Sequence, residues 1–98
     1  MKVEGKVAIV AGGGQGIGQG IVHCLAEEGA DVAVIDINGD TAKKVAGEVE
    51  ALGRKSLAIK ADATDSKQVN QAAQKVIDTF GKIDILVNNV GGIGKTTW

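Results

Sequence analysis

The 98-residue sequence contains no tyrosine and no proline, and it has one cysteine and one histidine. A single cysteine, Cys24, excludes an internal disulfide and is typical of a reducing cytoplasm. No apolar run approaches the ~18 residues that a membrane span requires, and the charged residues 1–6 do not resemble a secretory signal. The net charge of −1 provides no excess of positive charge for nucleic acid or anionic lipid. We therefore expect a cytoplasmic protein that binds neither nucleic acid nor membranes.

The histidine and the cysteine are neighbours in the sequence, at His23 and Cys24. Adjacent side chains on a helix point in different directions, so the two do not form a catalytic pair. One histidine and one cysteine also do not make a metal site. We interpret both as partly buried helix residues and predict no metal site.

Glycine is abundant, at 15 of 98 residues, which is about twice its ~7% share in average proteins. Short apolar, mostly β-branched runs alternate with segments in which apolar residues recur at helical spacing. The first pattern is typical of strands buried on both faces of a parallel sheet, and the second of amphipathic helices. Strands are predicted at residues 7–10, 32–35, 57–59 and 85–87, and helices around residues 17–25, 42–52 and 69–80.

Each predicted helix is followed by a glycine that can close it, at Gly29, Gly53 and Gly81. Asp65, with Gln68 three residues later, is typical of the start of the third helix. Strands that alternate with helices imply right-handed crossovers and a parallel sheet. We predict an α/β fold, a Rossmann-type doubly wound parallel sheet in the order 3-2-1-4 that ends after its fourth strand. That strand would then be an exposed apolar edge.

Glycines cluster between the first strand and the first helix, from Gly12 to Gly18. Gly12 permits a tight turn, Gly16 leaves room for a pyrophosphate, and Gly18 allows the helix to pack closely on the sheet. Free N–H groups at the helix N-terminus would then face the anion. A flexible turn is the alternative, but the position between a strand and a helix favours nucleotide binding.

The spacing of Ala11-Gly12-x-x-x-Gly16-x-Gly18 resembles the Thr-Gly-x-x-x-Gly-x-Gly loop of the short-chain dehydrogenase/reductase superfamily. Ala11 stands where that family usually has threonine, which removes one hydroxyl hydrogen bond from the loop. The resemblance covers essentially residues 5–92 and implies a nicotinamide dinucleotide cofactor. The predicted loop contacts with it are Gly12, Gly14, Gln15, Gly16, Ile17 and Gly18.

Asp36 ends the second apolar run and follows the glycine loop at close to the ~20-residue interval expected of a ribose-binding acid. A carboxylate there accepts hydrogen bonds from the ribose hydroxyls and repels the 2′-phosphate of NADP. Its motif neighbours Ile37 and Gln15 carry no charge, so we predict NAD as the cofactor and place Ile37 in the site. Helix capping is the alternative role for Asp36, but Asn38 and Asp40 are better placed for it.

Two later segments are similar to further motifs of the family. Asp62-Ala63-Thr64-Asp65 resembles its D-x-[TS]-D segment, which implies that Asp62 and Ala63 frame the adenine edge. Helix capping alone explains Thr64 and Asp65.

After the fourth strand, Asn88-Asn89-Val90-Gly91 is similar to the family's N-N-A-G, with Val90 in place of alanine. The resemblance implies that Asn89, Val90 and Gly91 lie beside the cofactor. Residues 91–97 also resemble a phosphate-binding P-loop, but position 89 is asparagine rather than the glycine that the motif needs. We interpret them as a loop near the nicotinamide end of the cofactor.

The chemistry of the family belongs to a serine and a Tyr-x-x-x-Lys pair, and this sequence has no tyrosine. We therefore expect residues 1–98 to be a single partial dinucleotide-binding domain that contains no catalytic residue and is inactive alone. The resemblance implies a parent oxidoreductase that transfers a hydride between NAD and an alcohol/ketone substrate and that forms a homo-oligomer. The alternative is a stand-alone nucleotide-binding module or one half of a split enzyme.

Overall fold

The computed structural model describes residues 3–12, 14, 16–88 and 95–97. In that part of the chain, strands and helices alternate up to the fourth strand, as predicted, and a further strand follows it. Within the residues described, no helix is both long and apolar enough to cross a membrane. The elements are β1 (Val7–Ala11), α1 (Gly16–Glu27), β2 (Asp31–Asp36), α2 (Gly39–Ala51), β3 (Ser56–Lys60), α3 (Ser66–Phe80), β4 (Ile85–Asn88) and β5 (Lys95–Thr97).

The strands form one sheet in the order β3-β2-β1-β4-β5. The first four are parallel, and in their register Ala11 of β1 pairs with Ile35 of β2 and with Asn88 of β4. The predicted Rossmann-type order 3-2-1-4 is confirmed. Because these strands run in one direction, the loops that follow β1, β2, β3 and β4 leave the sheet at the same edge.

The expectation that the sheet ends at β4 is wrong. β5 runs antiparallel to β4 and pairs with it from Leu86 to Asn88, so the described β4 edge is covered there. Lys95–Thr97 belong to the segment predicted to be a loop, and their polar sequence lacks the apolar run that is typical of a buried strand. An edge strand is held by backbone hydrogen bonds, which any residue type can make, so its sequence need not show that pattern.

Apolar side chains cover both faces of the sheet, as the continuous apolar runs predict. On one face, Val10 and Val34 pack with α1 and α2, and Val22 and Val45 lie fully buried between them. On the other face, β-strand residues such as Ile9 pack against α3. The glycine loop and the end of β2 are therefore held on a rigid, buried sheet.

The structure corrects the predicted buried faces of two helices. Ile17 is 68% exposed and Ile77 is 42% exposed, although both belong to the apolar stripes of their helices. The buried residues of α1 are Gly18, Val22 and Ala26. Small residues allow the helix backbone to approach the sheet, which turns the larger Ile17 outward.

Glycines with positive φ follow the ends of the helices, as predicted. Gly81 has a φ of +89° and its N–H donates to the Ile77 carbonyl at 2.8 Å, which closes α3 in the left-handed conformation. Gly29 has a φ of +100°, and a Cβ on it would lie 2.9 Å from the Cα of Glu4. Glycine is required there by both conformation and space.

A carboxylate joins the starts of β1 and β4. Asp84 Oδ2 accepts the Val7 N–H at 2.8 Å and lies 3.1 Å from Lys82 Nζ, while the Asp84 N–H donates to the Val7 carbonyl at 2.8 Å. The Val7 N–H, and after it Lys82, holds the pKa of Asp84 below its ordinary value. The charged form is thus favoured in the folded state.

We predict that this carboxylate makes stability depend on pH in the acid range. A folded-state pKa below the unfolded value gives stability that is present above the ordinary pKa of ~3.9 and is lost as the pH falls through the folded-state pKa. Asp84→Asn should lower stability at pH 7 and flatten the acid slope, as measured by urea unfolding at several pH values. Asp78→Asn, which removes an exposed carboxylate within α3, should leave both unchanged; an equal effect would contradict the role of Asp84.

Candidate cofactor site

The glycine loop begins where β1 ends, next to β2. Gly12 has a φ of +77°, and its N–H donates to the Ile35 carbonyl at 2.7 Å, so the loop is tied to the neighbouring strand as it turns. α1 then begins at Gly16, whose φ is +55° and whose missing Cβ would meet nothing within 4 Å. An open space therefore lies at the N-terminus of α1, where helix N–H groups and dipole favour an anion.

Asp36 lies at the carboxyl end of β2 beside this loop. The residue is 8% exposed, and a charge so placed is costly unless it is hydrogen-bonded. Its Oδ2 accepts the Gly14 N–H and its Oδ1 accepts the Asn38 N–H, each at 3.0 Å. A carboxylate offers about four acceptor positions, so two bonds leave capacity for ribose hydroxyls.

Asn38, and not Asp36, caps α2. The Asn38 side chain accepts the N–H groups of Asp40 and Thr41, both at 3.1 Å. The alternative role for Asp36, the capping of α2, is therefore not the one that the structure shows. Asp36 instead joins the glycine loop to the end of β2.

The loop after β3 contains Asp62 and Ala63. Asp62 Oδ1 accepts both the N–H and the hydroxyl of Thr64, at 2.9 and 2.6 Å, and these bonds lower the pKa of Asp62, the Thr64 hydroxyl most strongly. Asp65 caps α3 by accepting the Lys67 N–H. Gln68 does not complete a capping box on the Asp65 backbone, because its side chain bonds to the Asp65 carboxylate and the Asp62 N–H.

An open cavity of ≈ 540 Å³ adjoins the end of β2. It is lined by Ile37, Asn38, Gly39, Asp40, Lys43 and Lys60. Ile37 is 65% exposed, so an apolar surface is available there to a planar ring. Its place in the cofactor site stays a prediction.

The two lysines of this cavity were missed by the sequence analysis, which compared Asp36 only with Ile37 and Gln15. Lys60 ends β3 in register with Asp36, and Lys43 lies one turn into α2. The predicted strand order 3-2 could have indicated Lys60, because it places the ends of β2 and β3 side by side. Two positively charged side chains therefore line the cavity that adjoins the end of β2.

Four predicted site residues, Gln15, Asn89, Val90 and Gly91, lie outside the described residues. Asn88, just before the last three, is described, and its Oδ1 is buried without a hydrogen-bond partner among the described residues. The polar end of β4 thus lies at the same edge as the glycine loop, since Asn88 pairs with Ala11.

His23 and Cys24 lie away from this edge. His23 Nε2 is 2.5 Å from Glu48 Oε1, which also accepts from Gln19, and these bonds, that of His23 first, lower the pKa of Glu48. The hydrogen bonds of Glu48 with Gln19 and His23 link α2 to α1. Cys24 is exposed, which corrects its predicted partial burial. Among the described residues, no three histidine, cysteine, aspartate or glutamate side chains form a metal-binding group.

The parallel order, the glycine turn at the start of α1 and the acid at the end of β2 define a Rossmann-type dinucleotide-binding fold. The chain belongs to the short chain dehydrogenase family, whose model matches residues 6–97.

The chain is similar to dehydrogenases of this family in both sequence and structure. The chain is 43% identical over 94 residues to 7alpha-hydroxysteroid dehydrogenase of Escherichia coli (strain K12), an alignment that covers 96% of this chain and 37% of that protein. It is 41% identical over 100 residues to 15-hydroxyprostaglandin dehydrogenase [NAD(+)] of Rattus norvegicus, with 100% and 38% covered. A solved 7 alpha-hydroxysteroid dehydrogenase in complex with NADH and 7-oxo glycochenodeoxycholic acid has a TM-score of 0.82 and 40% identity, with 86% and 33% covered. The chain thus spans less than two-fifths of the length of these proteins.

We predict that Gly16→Val removes dinucleotide binding and leaves the sheet folded. The valine side chain would fill the open space at the N-terminus of α1, and a β-branched residue is strained at a φ of +55°. Isothermal titration calorimetry should show at least about tenfold weaker binding, while the far-ultraviolet circular dichroism stays that of a folded α/β protein. Gly20→Ala, one turn further along α1, is the matched control, because its Cβ meets nothing within 4 Å. Binding of unchanged affinity by Gly16→Val would show that the loop is only a turn.

Proposed function

We propose that this chain is the NAD-binding part of an oxidoreductase that transfers a hydride between NAD and an alcohol/ketone substrate. The observation that carries the proposal is Asp36, a buried carboxylate held by two backbone N–H groups beside the glycine loop. When bound, NAD supplies the acceptor for a hydride from an alcohol carbon, and NADH supplies the donor to a carbonyl carbon. The activities by which the relatives are named, hydroxysteroid and hydroxyprostaglandin dehydrogenase, favour a secondary alcohol as the substrate class.

We assign roles to the chain's own residues on the basis of their positions. Gly12 and Gly16 shape the space for the pyrophosphate, and N–H groups at the start of α1 bind it. Asp36 accepts hydrogen bonds from the adenosine ribose, while Ile37 and the Asp62–Ala63 segment flank the adenine. We place Asn89, Val90 and Gly91 beside the nicotinamide ribose on the basis of the family resemblance.

We further propose that the 98 residues form one partial dinucleotide-binding domain that is inactive alone. The sequence has no tyrosine, so the family's Tyr-x-x-x-Lys pair would come from a further segment or from another chain. The homo-oligomer and the cytoplasmic location that the sequence analysis predicts belong to this proposal.

We predict that the chain prefers NAD to NADP. A 2′-phosphate against Asp36 should cost about 1–3 kcal/mol, or about 5–150-fold in affinity, and the nearby Lys43 and Lys60 should keep the value toward the lower end. Calorimetric titration with both dinucleotides measures the ratio of the two dissociation constants directly. Asp36→Asn should reduce the preference, whereas Asp78→Asn, which removes the same charge from α3, should leave it unchanged.

Equal or tighter binding of NADP by the wild-type protein would contradict the proposed cofactor. It would mean that the two lysines, rather than Asp36, decide the recognition of the ribose 2′ position. Absence of binding to either dinucleotide would contradict the proposed function as a whole.

A further inference from the structure

Gly14 occupies the middle of the loop, between β1 and α1, and its backbone does not explain why it is glycine. Its φ lies outside the left-handed region, unlike that of Gly12 and Gly16. Its φ therefore does not require glycine. The reason for glycine at this position has to come from its surroundings.

The surroundings of Gly14 are dominated by the Asp36 carboxylate. A Cβ on Gly14 would lie 2.7 Å from Asp36 Oδ2 and 3.0 Å from both Asp36 Cγ and Thr41 Cγ2. The first distance is inside van der Waals contact, so the carboxylate would have to shift to admit a Cβ at position 14. The Gly14 N–H meanwhile donates to that same oxygen at 3.0 Å.

We propose that Gly14 is a positioning residue that determines cofactor specificity by fixing the Asp36 carboxylate. Its N–H anchors Oδ2, and its missing Cβ leaves the space that this oxygen occupies. This inference rests on the proposed function, because it assigns a consequence for NAD binding to the contact between the two residues.

Fixing the carboxylate matters because Asp36 has two opposite effects on the two dinucleotides. Held by Gly14 on one oxygen and by Asn38 on the other, it cannot turn away from the ribose. It can then bond to the hydroxyls of NAD, and its charge stays close to any 2′-phosphate. If the carboxylate moves, the bonds to NAD weaken and the repulsion of NADP is relieved, while Lys43 and Lys60 remain in the adjoining cavity to pair with the phosphate.

Other glycines of the chain provide the contrast. A Cβ on Gly16, Gly20 or Gly47 would meet nothing within 4 Å. Gly20 and Gly47 lie on the exposed surfaces of α1 and α2. Substitution of Gly20 or Gly47 by alanine should change neither dinucleotide affinity nor the preference between the two cofactors.

The test is to measure the dissociation constants of NAD and NADP for Gly14→Ala and for the control Gly47→Ala, by calorimetry in the intact natural protein. Gly14→Ala should bind NAD about threefold to fivefold more weakly and should lower the NAD/NADP preference by a similar factor. General loosening of the loop would weaken both dinucleotides equally and leave the preference unchanged. That result, or one identical to the control, would overturn the inference.

A double-mutant cycle with Asp36→Ala shows whether the effect acts through the carboxylate. With Asp36 removed, Gly14→Ala should change the NAD/NADP preference little, because the group that it displaces is gone. An equal change of preference in both backgrounds would overturn the inference. If the wild-type protein binds neither dinucleotide, the proposed function fails first, which separates the two failures.

If Gly14→Ala folds poorly, the same cycle still tests the inference. Since the closest contact of the added Cβ is with Asp36, the Gly14→Ala/Asp36→Ala double variant should then regain the circular dichroism and thermal unfolding midpoint of Asp36→Ala. Adding Thr41→Ser removes the methyl at 3.0 Å and should restore any remaining difference. A double variant that stays as unstable as Gly14→Ala, with or without Thr41→Ser, would contradict the role assigned to Gly14.

Discussion

A buried carboxylate at the end of a central strand is the constraint on which this site depends. Among the described residues, Asp36 is the buried residue with a charged side chain. Such a charge needs hydrogen-bond donors to compensate for its lost hydration. Two backbone N–H groups donate to it, that of Gly14 in the glycine loop and that of Asn38, the residue that caps α2. One side chain thereby fixes the relative positions of the glycine loop and the end of β2.

The sheet makes this arrangement possible. Parallel strands bring the ends of β1, β2, β3 and β4 to one edge, and helices on both faces keep the sheet rigid. At the other end of the strands, Asp84 holds the starts of β1 and β4 together through its hydrogen bonds to Val7. Dinucleotide recognition can then use backbone groups and a few side chains on loops, while the strands supply only position.

Much of this could be predicted from the sequence because the signals are local. The apolar runs around Val10 and Val34 predict buried strands, and Asp36 was selected by its interval from the glycine loop. Asn38 and Asp40 are predicted to be better placed than Asp36 to cap α2, and of the two the structure shows Asn38 in that role.

The remaining features depend on contacts that are distant in sequence. Lys60 approaches Asp36 only through the pairing of β3 with β2, and α1 buries Gly18 while the neighbouring Ile17 is exposed. β5 is held by backbone pairing, for which Lys95–Thr97 show no side-chain pattern. The steric reason for glycine at position 14 is a contact across 22 residues, which only the folded chain reveals.

A crystal structure of the protein with bound NAD tests the central claim most directly. The account predicts that the pyrophosphate lies at the N-terminus of α1 near Gly16. It also predicts that Asp36 accepts hydrogen bonds from the adenosine ribose hydroxyls while it keeps those from Gly14 and Asn38. A dinucleotide bound elsewhere, or an Asp36 carboxylate turned away from the ribose and released from Gly14, would contradict it.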